Sequence, residues 1–427
     1  MSLLICGALV VDPAQGLAEP LDLLAEGGKV AALERPGTIP PEGRQVIEAA
    51  GLIVTPGLMD MHVHLREPGE EYKETILTGT RAAVQGGFTA VAAMPNTNPV
   101  NDNTSVTRFI LDQAAAAGLA RVYPVAAISL GSQGRNLSEY GDLKAAGAVA
   151  LSDDGRPVMN PMLMRRALEY ARTFNLPIIS HCEDLNLRGE GVMHEGLVSL
   201  KLGLRGIPGA AEEVMVFRDL NLASLTGGRL HIAHVSTAGA VALIRRAKAD
   251  GLMVTAETAP HYFTLTEAAV LGFDTRAKVN PPLRTAEDVA AIKEGLADGT
   301  LEAIASDHAP HSSMEKEVEF EAAAFGLIGL ETALGLTLSL VHEGVLSLTQ
   351  AVALLSTNPA RILRVPGGTL AVGSPADITL MDLNRQWQVD ASTFASKGRN
   401  CPFNGWTLKG KAVMTIVGGK VLWEEGQ

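Results

Sequence analysis

The middle of the chain repeats one pattern eight times: a short apolar run, a cluster of polar residues and a helical segment. Near-continuous apolar strands that alternate with helices are typical of a parallel sheet covered by helices on its outer side. Eight repeats within about 260 residues predict a (β/α)8 TIM-like barrel. An open doubly wound sheet is the alternative that repeat counting alone leaves. The apolar runs are residues 53–65, 90–96, 122–129, 148–153, 177–181, 230–236, 253–261 and 302–307.

The two ends of the chain show a different pattern, with short strands and glycine turns. Residues 2–11 near the N-terminus are strand-like, and so are residues 376–381 and 412–417 near the C-terminus. Because the ends of a domain usually lie close together at the surface, one small domain can be built from both. We predict a β-sandwich domain formed by residues 1–55 plus 366–427, with the barrel domain, residues 56–365, inserted into it.

Composition excludes several classes of protein. Hydrophobic residues make up 47% of the 427 residues and charged residues 19%, which excludes a disordered chain. The net charge of −12 disfavours binding to nucleic acid or to an anionic membrane surface. No apolar run approaches the ~20 residues of a membrane span, and the N-terminus lacks the charged region of a signal peptide. The widely separated Cys6, Cys182 and Cys401 predict a reducing, cytoplasmic location and no disulfide framework.

The predicted strands end in clusters of histidine and carboxylate side chains. Catalytic groups of a parallel barrel lie at the carboxyl ends of its strands, so these clusters are expected to converge. His62 and His64 are two residues apart and therefore face the same side of a strand, where two imidazoles can hold a divalent metal. For this pair alone, two unrelated histidines are the alternative. His231 has the opposite parity to His234 and is expected to face the helices.

The predicted strand ends together offer six histidine and aspartate side chains, and six such ligands suit a pair of metal ions better than a single ion. One tetrahedral zinc takes four ligands, whereas two metals about 3.5–4 Å apart can share a bridging carboxylate and water. The predicted metal ligands are His62, His64, Asp153, His181, His234 and Asp307.

Four segments resemble motifs of the amidohydrolase superfamily, and of the class I bacterial type of its dihydroorotase branch in particular. The resemblance covers nearly the whole chain, with the motifs in the family's order. It implies a cyclic amide hydrolase that uses zinc to interconvert L-dihydroorotate and N-carbamoyl-L-aspartate in de novo pyrimidine (UMP) biosynthesis. The segments are residues 55–69 (TPGLMDMHVHLREPG), 94–97 (MPNT), 280–284 (NPPLR) and 306–311 (SDHAPH).

The resemblance also implies a role for each site residue. His62 and His64 would bind one of two zinc ions, which Asp307 would complete, and His181 and His234 the other. Asp307 would also act as the catalytic residue that transfers a proton. The bridge between the two ions is assigned to Asp153, with Asp154 as its nearest rival. The residues implied in substrate binding are His64, Arg66, Asn96, Asn280, His311, Phe325 and Gly326.

Two alternative functions remain open on the sequence. The first is a related cyclic amidohydrolase, an allantoinase or a hydantoinase, although the His-Leu-Arg and Ala-Pro-His segments favour a substrate that carries a carboxylate. The second is a non-catalytic paralogue that scaffolds aspartate carbamoyltransferase, which the presence of all six ligands disfavours. The expected partner is the small-molecule substrate. The sequence leaves open a homodimer and an association with aspartate carbamoyltransferase.

Overall fold

The computed structural model describes residues 2–426, and strands and α-helices alternate along its middle part. The strands are β1 (Ser2–Asp12), β2 (Leu17–Glu26), β3 (Lys29–Glu34), β4 (Gln45–Glu48), β5 (Ile53–Pro56), β6 (Leu58–Val63), β7 (Phe88–Ala93), β8 (Arg121–Ala126), β9 (Ala150–Leu151), β10 (Ile178–Ser180), β11 (Met193–His194), β12 (Gly206–Ile207), β13 (Leu230–Ile232), β14 (Val254–Thr258), β15 (Ala303–Ile304), β16 (Ile378–Gln388), β17 (Thr407–Val417) and β18 (Lys420–Glu424). The α-helices are α1 (Ile76–Gln85), α2 (Thr104–Ala117), α3 (Tyr140–Ala146), α4 (Pro161–Thr173), α5 (Leu185–Arg188), α6 (Leu197–Leu202), α7 (Ala210–Thr226), α8 (Ala238–Ala249), α9 (Pro260–Thr264), α10 (Ala286–Ala297), α11 (Ser313–Lys316), α12 (Ala333–His342), α13 (Leu348–Val352) and α14 (Asn358–Leu363).

Eight of these strands form the predicted parallel barrel. Their order around the sheet is β6-β7-β8-β9-β10-β13-β14-β15, and each neighbouring pair is parallel. The sheet closes where Val63 forms a parallel bridge with His308 and the His64 N–H donates to the His308 carbonyl over 2.9 Å. The open doubly wound sheet is therefore excluded.

The helices that surround the barrel begin at the side-chain caps that their sequences provide. Asn160 accepts from two backbone N–H groups at the start of α4, and Pro161 occupies its first turn. Thr285 and Asp288 form a capping box at the start of α10. Such caps satisfy N–H groups that have no partner within the helix, which fixes where each helix begins. Each helix then packs its buried side into the core, as Met164, Ala167 and Leu168 of α4 do.

Both ends of the chain contribute to a second sheet, as the sequence predicts. Its strands run in the order β18-β17-β16-β5-β1-β2-β3, with β4 paired to β1. The two ends join where β5 pairs antiparallel with β16, and the sheet has a hydrophobic core of its own. The predicted fold class is confirmed in its (β/α)8 barrel and in a separate sheet formed from both termini, and the β-sandwich form of that terminal domain stays a prediction. The domain boundaries after residues 55 and 365 stay a prediction.

The terminal sheet packs directly on the barrel near Gly87. Gly87 has a φ of 91°, and a Cβ there would lie 2.9 Å from the Cβ of Ala412 on β17. The Thr379 hydroxyl donates to the Gly87 carbonyl over 2.6 Å, and the Thr415 hydroxyl donates to the Val84 carbonyl over 2.7 Å. Only glycine allows this close approach together with the left-handed backbone. Within residues 2–426, no helix combines the length and the hydropathy that crossing a membrane requires.

Candidate active site and metal centre

Histidine and carboxylate side chains converge at the carboxyl ends of the barrel strands. His62 lies on β6 and His64 follows it, while His181, His234 and Asp307 lie within three residues of the ends of β10, β13 and β15. All five are buried, with at most 6% of their surface exposed. The strand ends thus bring together side chains that are up to about 245 residues apart in the sequence.

Asp154 is the centre of this cluster. Potential ligand atoms of His62, His64 and Asp154 lie within 4.8 Å of one another, and so do those of Asp154, His181 and His234. Its Oδ1 is 3.3 Å from His62 Nε2, 3.5 Å from His234 Nε2 and 3.6 Å from His181 Nδ1, and its Oδ2 is 3.5 Å from His64 Nε2. One carboxylate therefore belongs to two potential metal sites.

The structure corrects the assignment of the shared carboxylate to Asp153. The Asp153 carboxylate accepts from the Ser129 N–H over 3.0 Å and from the Ser129 hydroxyl, and it belongs to neither ligand group. The two adjacent carboxylates point in different directions, and only that of Asp154 faces the histidines. Burial raises the pKa of Asp153 to about 6.

Asp307 lies beside the first ligand group, where the sequence places it. Its Oδ1 is 3.1 Å from His64 Nε2 and 3.7 Å from His62 Nε2. Burial opposes ionisation, but His64 and His62 nevertheless lower the pKa of Asp307 to about 2. The carboxylate is therefore ionised at neutral pH and can accept a proton.

The charge balance of the cluster fits bound cations. Burial alone would lower the pKa of His181, but the carboxylates of Asp154 and Glu183 raise it to about 10. Likewise, Asp154 and Glu257 raise the pKa of His62 well above its ordinary value despite burial. The buried carboxylates thus require positive charge, which divalent cations supply when they replace the protons.

The donor atoms also fit a metal centre. Nε2 of His62 and Oδ1 of Asp154 are buried and form no hydrogen bond within residues 2–426. Imidazole nitrogens and carboxylate oxygens are the ligands that zinc takes in hydrolases. The residues present could therefore hold one cation at His62, His64 and Asp154, and a second at Asp154, His181 and His234.

Hydrogen-bond partners fix the orientation of two of the four histidines, and a carboxylate lies near the ring of a third. Glu257 Oε1 is 2.7 Å from His62 Nδ1, Asn96 Oδ1 is 2.8 Å from His64 Nδ1, and Glu183 Oε2 is 3.6 Å from His181 Nε2. A partner of this kind sets the tautomer and leaves the other ring nitrogen free for a metal. Of these partners, sequence reasoning singled out Asn96 alone, and for a different role.

Glu257 also reaches a histidine that we expected elsewhere. His231 Nε2 lies 3.3 Å from Glu257 Oε2, and His231 Nδ1 lies 2.8 Å from the Thr255 hydroxyl. His231 therefore points towards Glu257 beneath the metal centre, and the expectation that it faces the helices is wrong. The sequence does indicate that Glu257 has a polar partner, because a glutamate within an apolar strand is costly to bury without one.

Three of the predicted substrate-binding residues lie together at the mouth of the site. Arg66 is buried; its Nε donates to the Pro310 carbonyl over 3.2 Å, and its Nη2 is 3.3 Å from His311 Nε2. The same His311 nitrogen is 2.8 Å from the Phe325 carbonyl. Burial, with the charge of Arg66 next in importance, lowers the pKa of His311 to about 3, so its imidazole is neutral.

Two further predicted substrate contacts, Asn280 and Gly326, differ in which hydrogen-bonding groups they leave unpaired. Asn280 Nδ2 donates to Glu183 Oε2 over 3.2 Å, while Asn280 Oδ1 is buried without a hydrogen-bond partner in the described chain. The Gly326 N–H donates to the Lys278 carbonyl over 2.9 Å. The Gly326 carbonyl accepts from Asn400 and Lys316, each over 3.0 Å. The Gly326 backbone therefore holds the wall of the site together.

A closed barrel with this cluster at its strand ends defines the amidohydrolase class of enzymes. The family model described as "Amidohydrolase family" matches residues 208–423, and the one described as "Dihydro-orotase-like" matches residues 51–240. The chain is 58% identical over 426 residues to the dihydroorotase of Syntrophus aciditrophicus, covering 100% of both chains. It is 58% identical over 424 residues to that of Geobacter metallireducens, covering 99% of this chain and 100% of the other. The chain belongs to the dihydroorotase family.

Solved structures of related enzymes share the whole fold. L-hydantoinase (dihydropyrimidinase) from Arthrobacter aurescens superposes with a TM-score of 0.89 at 27% identity, covering 100% of this chain and 96% of the other. Dihydropyrimidinase from Brevibacillus agri gives a TM-score of 0.85 at 24% identity with the same coverage, which shows the fold alone. The barrel and the terminal β domain are therefore both common to these enzymes.

Proposed function

We propose that this chain is a zinc-dependent dihydroorotase, which reversibly hydrolyses L-dihydroorotate to N-carbamoyl-L-aspartate in de novo pyrimidine biosynthesis. The observation that carries the proposal is the position of Asp154, whose single carboxylate lies within reach of four histidines in two groups. That arrangement suits two cations per chain. The 58% identity to proteins named dihydroorotase over the full chain supports the choice of substrate.

Ring opening requires a nucleophile at neutral pH and a proton for the departing nitrogen. When bound, a pair of divalent cations activates a water molecule and polarises the carbonyl that it attacks. In this chain Asp307 is the group placed to move the proton. Its carboxylate is ionised, and Oδ1 lies 3.1 Å from His64 Nε2. It can therefore accept a proton from the attacking water and donate it to the departing nitrogen of the substrate ring.

Arg66 and His311 form the part of the site that suits a carboxylate on the substrate. The guanidinium is buried and can donate hydrogen bonds to an anion, and its Nη2 lies 3.3 Å from the neutral His311 ring, which we assign to the same end of the substrate. Dihydroorotate carries such a carboxylate, whereas hydantoin and allantoin carry none. Asn96 holds His64 through its side-chain oxygen, and we assign it to the same end of the substrate.

A hydantoinase or allantoinase is the second candidate, because the solved structures with the same fold include an L-hydantoinase at 27% identity. The deciding experiment is an assay of the purified protein with L-dihydroorotate, allantoin and a 5-substituted hydantoin at equal concentrations. We expect turnover of dihydroorotate and little of the other two. Turnover of allantoin or hydantoin without dihydroorotate would overturn the proposed substrate.

Replacing Arg66 with Ala should weaken substrate binding more than it slows the reaction. A hydrogen bond to a charged group contributes about 1.5–3 kcal/mol, so KM should rise by about 10- to 100-fold. The value of kcat should fall less, because the carboxylate does not react. Arg246→Ala, which removes an exposed guanidinium paired with Asp250, is the matched control. An unchanged KM for Arg66→Ala would remove this residue from the substrate site.

Removal of the metal should abolish activity reversibly. After dialysis against a strong chelator we expect turnover to fall by about 10³-fold or more, since neither the nucleophile nor the carbonyl is then activated. Elemental analysis of the untreated protein should give two zinc ions per chain, and titration of the apoprotein with Zn²⁺ should restore turnover at two equivalents. Full activity at one equivalent would contradict a two-metal centre.

The remaining predictions concern where the protein acts and with what. A cytoplasmic location is supported by the free thiols of Cys6, Cys182 and Cys401. A homodimer and an association with aspartate carbamoyltransferase stay predictions from the sequence. Light scattering of the purified chain, alone and mixed with that enzyme, tests both of them.

A further inference from the structure

One buried carboxylate, that of Glu183, connects the metal centre to the substrate side of the site. Glu183 is two residues after His181 and only 4% exposed. Its Oε2 lies 3.6 Å from His181 Nε2 and accepts from Asn280 Nδ2 over 3.2 Å, while its Oε1 lies 3.4 Å from Arg188 Nε. The reaction proposed above assigns no role to this residue.

His181 faces the metal centre with a different ring atom from the other histidines. His62, His64 and His234 approach Asp154 with Nε2, whereas His181 approaches it with Nδ1. A neutral imidazole can offer Nδ1 as a ligand only when its proton is on Nε2. The Glu183 carboxylate lies 3.6 Å from that nitrogen, beyond hydrogen-bond distance, and its negative charge favours a proton there and so the tautomer whose Nδ1 lone pair faces Asp154 and His234.

The same carboxylate fixes which way the Asn280 amide points. Because Nδ2 donates to Glu183, Oδ1 must lie on the opposite side of the amide group. That oxygen is buried and has no hydrogen-bond partner within residues 2–426. A buried acceptor left unpaired costs about 1–3 kcal/mol, so the site is built for a ligand that donates an N–H at this point.

We propose that Glu183 is a positioning residue that sets both the tautomer of His181 and the orientation of the Asn280 amide. Through Asn280 it makes the site selective for a cyclic amide whose ring N–H points at Oδ1. Through His181 it strengthens cation binding at the group formed by Asp154, His181 and His234. The role in selectivity rests on the proposed function, whereas the role in cation binding does not.

Glu183→Ala should therefore change two quantities that are measured separately. Loss of the outer partner of a metal-binding histidine lowers metal affinity by about 10- to 100-fold. We expect this loss when the apoprotein is titrated with Zn²⁺ in competition with a chromophoric chelator, without substrate. At saturating Zn²⁺ we expect KM to rise by about tenfold, with a smaller change in kcat, because a wrongly oriented Asn280 amide affects mainly substrate binding.

The Asn280→Ala background separates the two effects. If Glu183 acts on the substrate through Asn280, then Glu183→Ala should add less than about twofold to the KM of Asn280→Ala, because coupled residues are not additive. Asn280→Ala alone should leave Zn²⁺ affinity unchanged. Glu294→Ala, which removes a glutamate whose side chain is 71% exposed on α10, is the matched control and should change neither quantity.

Two results would overturn the proposal. One is a Zn²⁺ affinity of Glu183→Ala within about twofold of the wild type. The other is a rise in KM of the double variant that equals the product of the rises measured for Glu183→Ala and Asn280→Ala alone. If Glu183→Ala does not fold, as judged by thermal unfolding, then Glu183→Gln decides, with both changes expected in the same direction but smaller. KM is measured with whichever cyclic amide the wild type hydrolyses, so failure of dihydroorotate as a substrate is seen separately in the wild type.

Discussion

Asp154→Asn should abolish the metal centre, whereas Asp153→Asn should leave it intact. Asp154 is the carboxylate shared by both ligand groups, so its loss weakens two cations at once. The effect should exceed the roughly 10- to 100-fold loss of affinity that follows removal of an outer partner, and turnover should fall by about 10³-fold or more. Elemental analysis after gel filtration, together with kcat for L-dihydroorotate, measures both quantities.

Asp153→Asn is the matched control, because it makes the same change on the neighbouring residue. Its side-chain oxygen can still accept from the Ser129 N–H, so the expected cost is about 1–2 kcal/mol of unfolding free energy. We expect two zinc ions per chain and a kcat within about threefold of the wild type. If Asp153→Asn loses zinc while Asp154→Asn retains it, the assignment of the shared carboxylate is wrong.

Asp307→Asn should give the other large effect, and it should appear in kcat. An amide cannot take the proton that the ionised carboxylate accepts, and proton transfer by a positioned side chain contributes about 10²- to 10⁴-fold. We therefore expect kcat to fall by about 10³-fold, while KM changes by less than about fivefold. Steady-state kinetics at saturating Zn²⁺ measures both parameters.

The control for Asp307 is an aspartate of similar chemistry far from the site. Asp250→Asn removes a carboxylate that is 58% exposed and paired with Arg246 on the surface. It should leave kcat and KM unchanged. A kcat for Asp307→Asn within about tenfold of the wild type would show that another group moves the proton.

The sequence predicts the barrel and most of the metal centre because both depend on simple periodicities. Eight apolar runs alternate with helices, and His62 and His64 share a face because strand side chains alternate with a period of two. The structure brings these two histidines together with His181, His234 and Asp307 at one end of the barrel. The period of the strands and the general rule for barrel active sites are sufficient to predict that much.

The argument from alternating side chains fails where the chain leaves a strand. β9 has only two residues, so nothing in the sequence decides which of Asp153 and Asp154 faces inwards. β13 ends at Ile232, and His234 has a φ of 35°, in the left-handed region. The parity of His231 relative to His234 therefore says nothing about which way His231 faces. A non-glycine residue at positive φ is strained and is held by its surroundings, which the local sequence does not reveal.

The partners of the histidines were missed for a different reason. Glu257, the hydrogen-bond partner of His62, lies 195 positions away from it in the sequence. No local pattern relates such pairs, because they depend on which strands become neighbours in the closed barrel. A buried glutamate in an apolar run predicts that a partner exists, but the fold is needed to name it.

The closure of the barrel has a consequence for the growing chain on the ribosome. His62 and His64 are made early, but the seam that joins β6 to the end of β15 forms through His308, next to Asp307. The proton-transferring carboxylate therefore arrives in the same step that closes the ring. An unfinished polypeptide that stops before this point carries the side chains of both cation groups but lacks the closed ring and the proton acceptor, so hydrolysis can begin only after Asp307 and His308 have been synthesised.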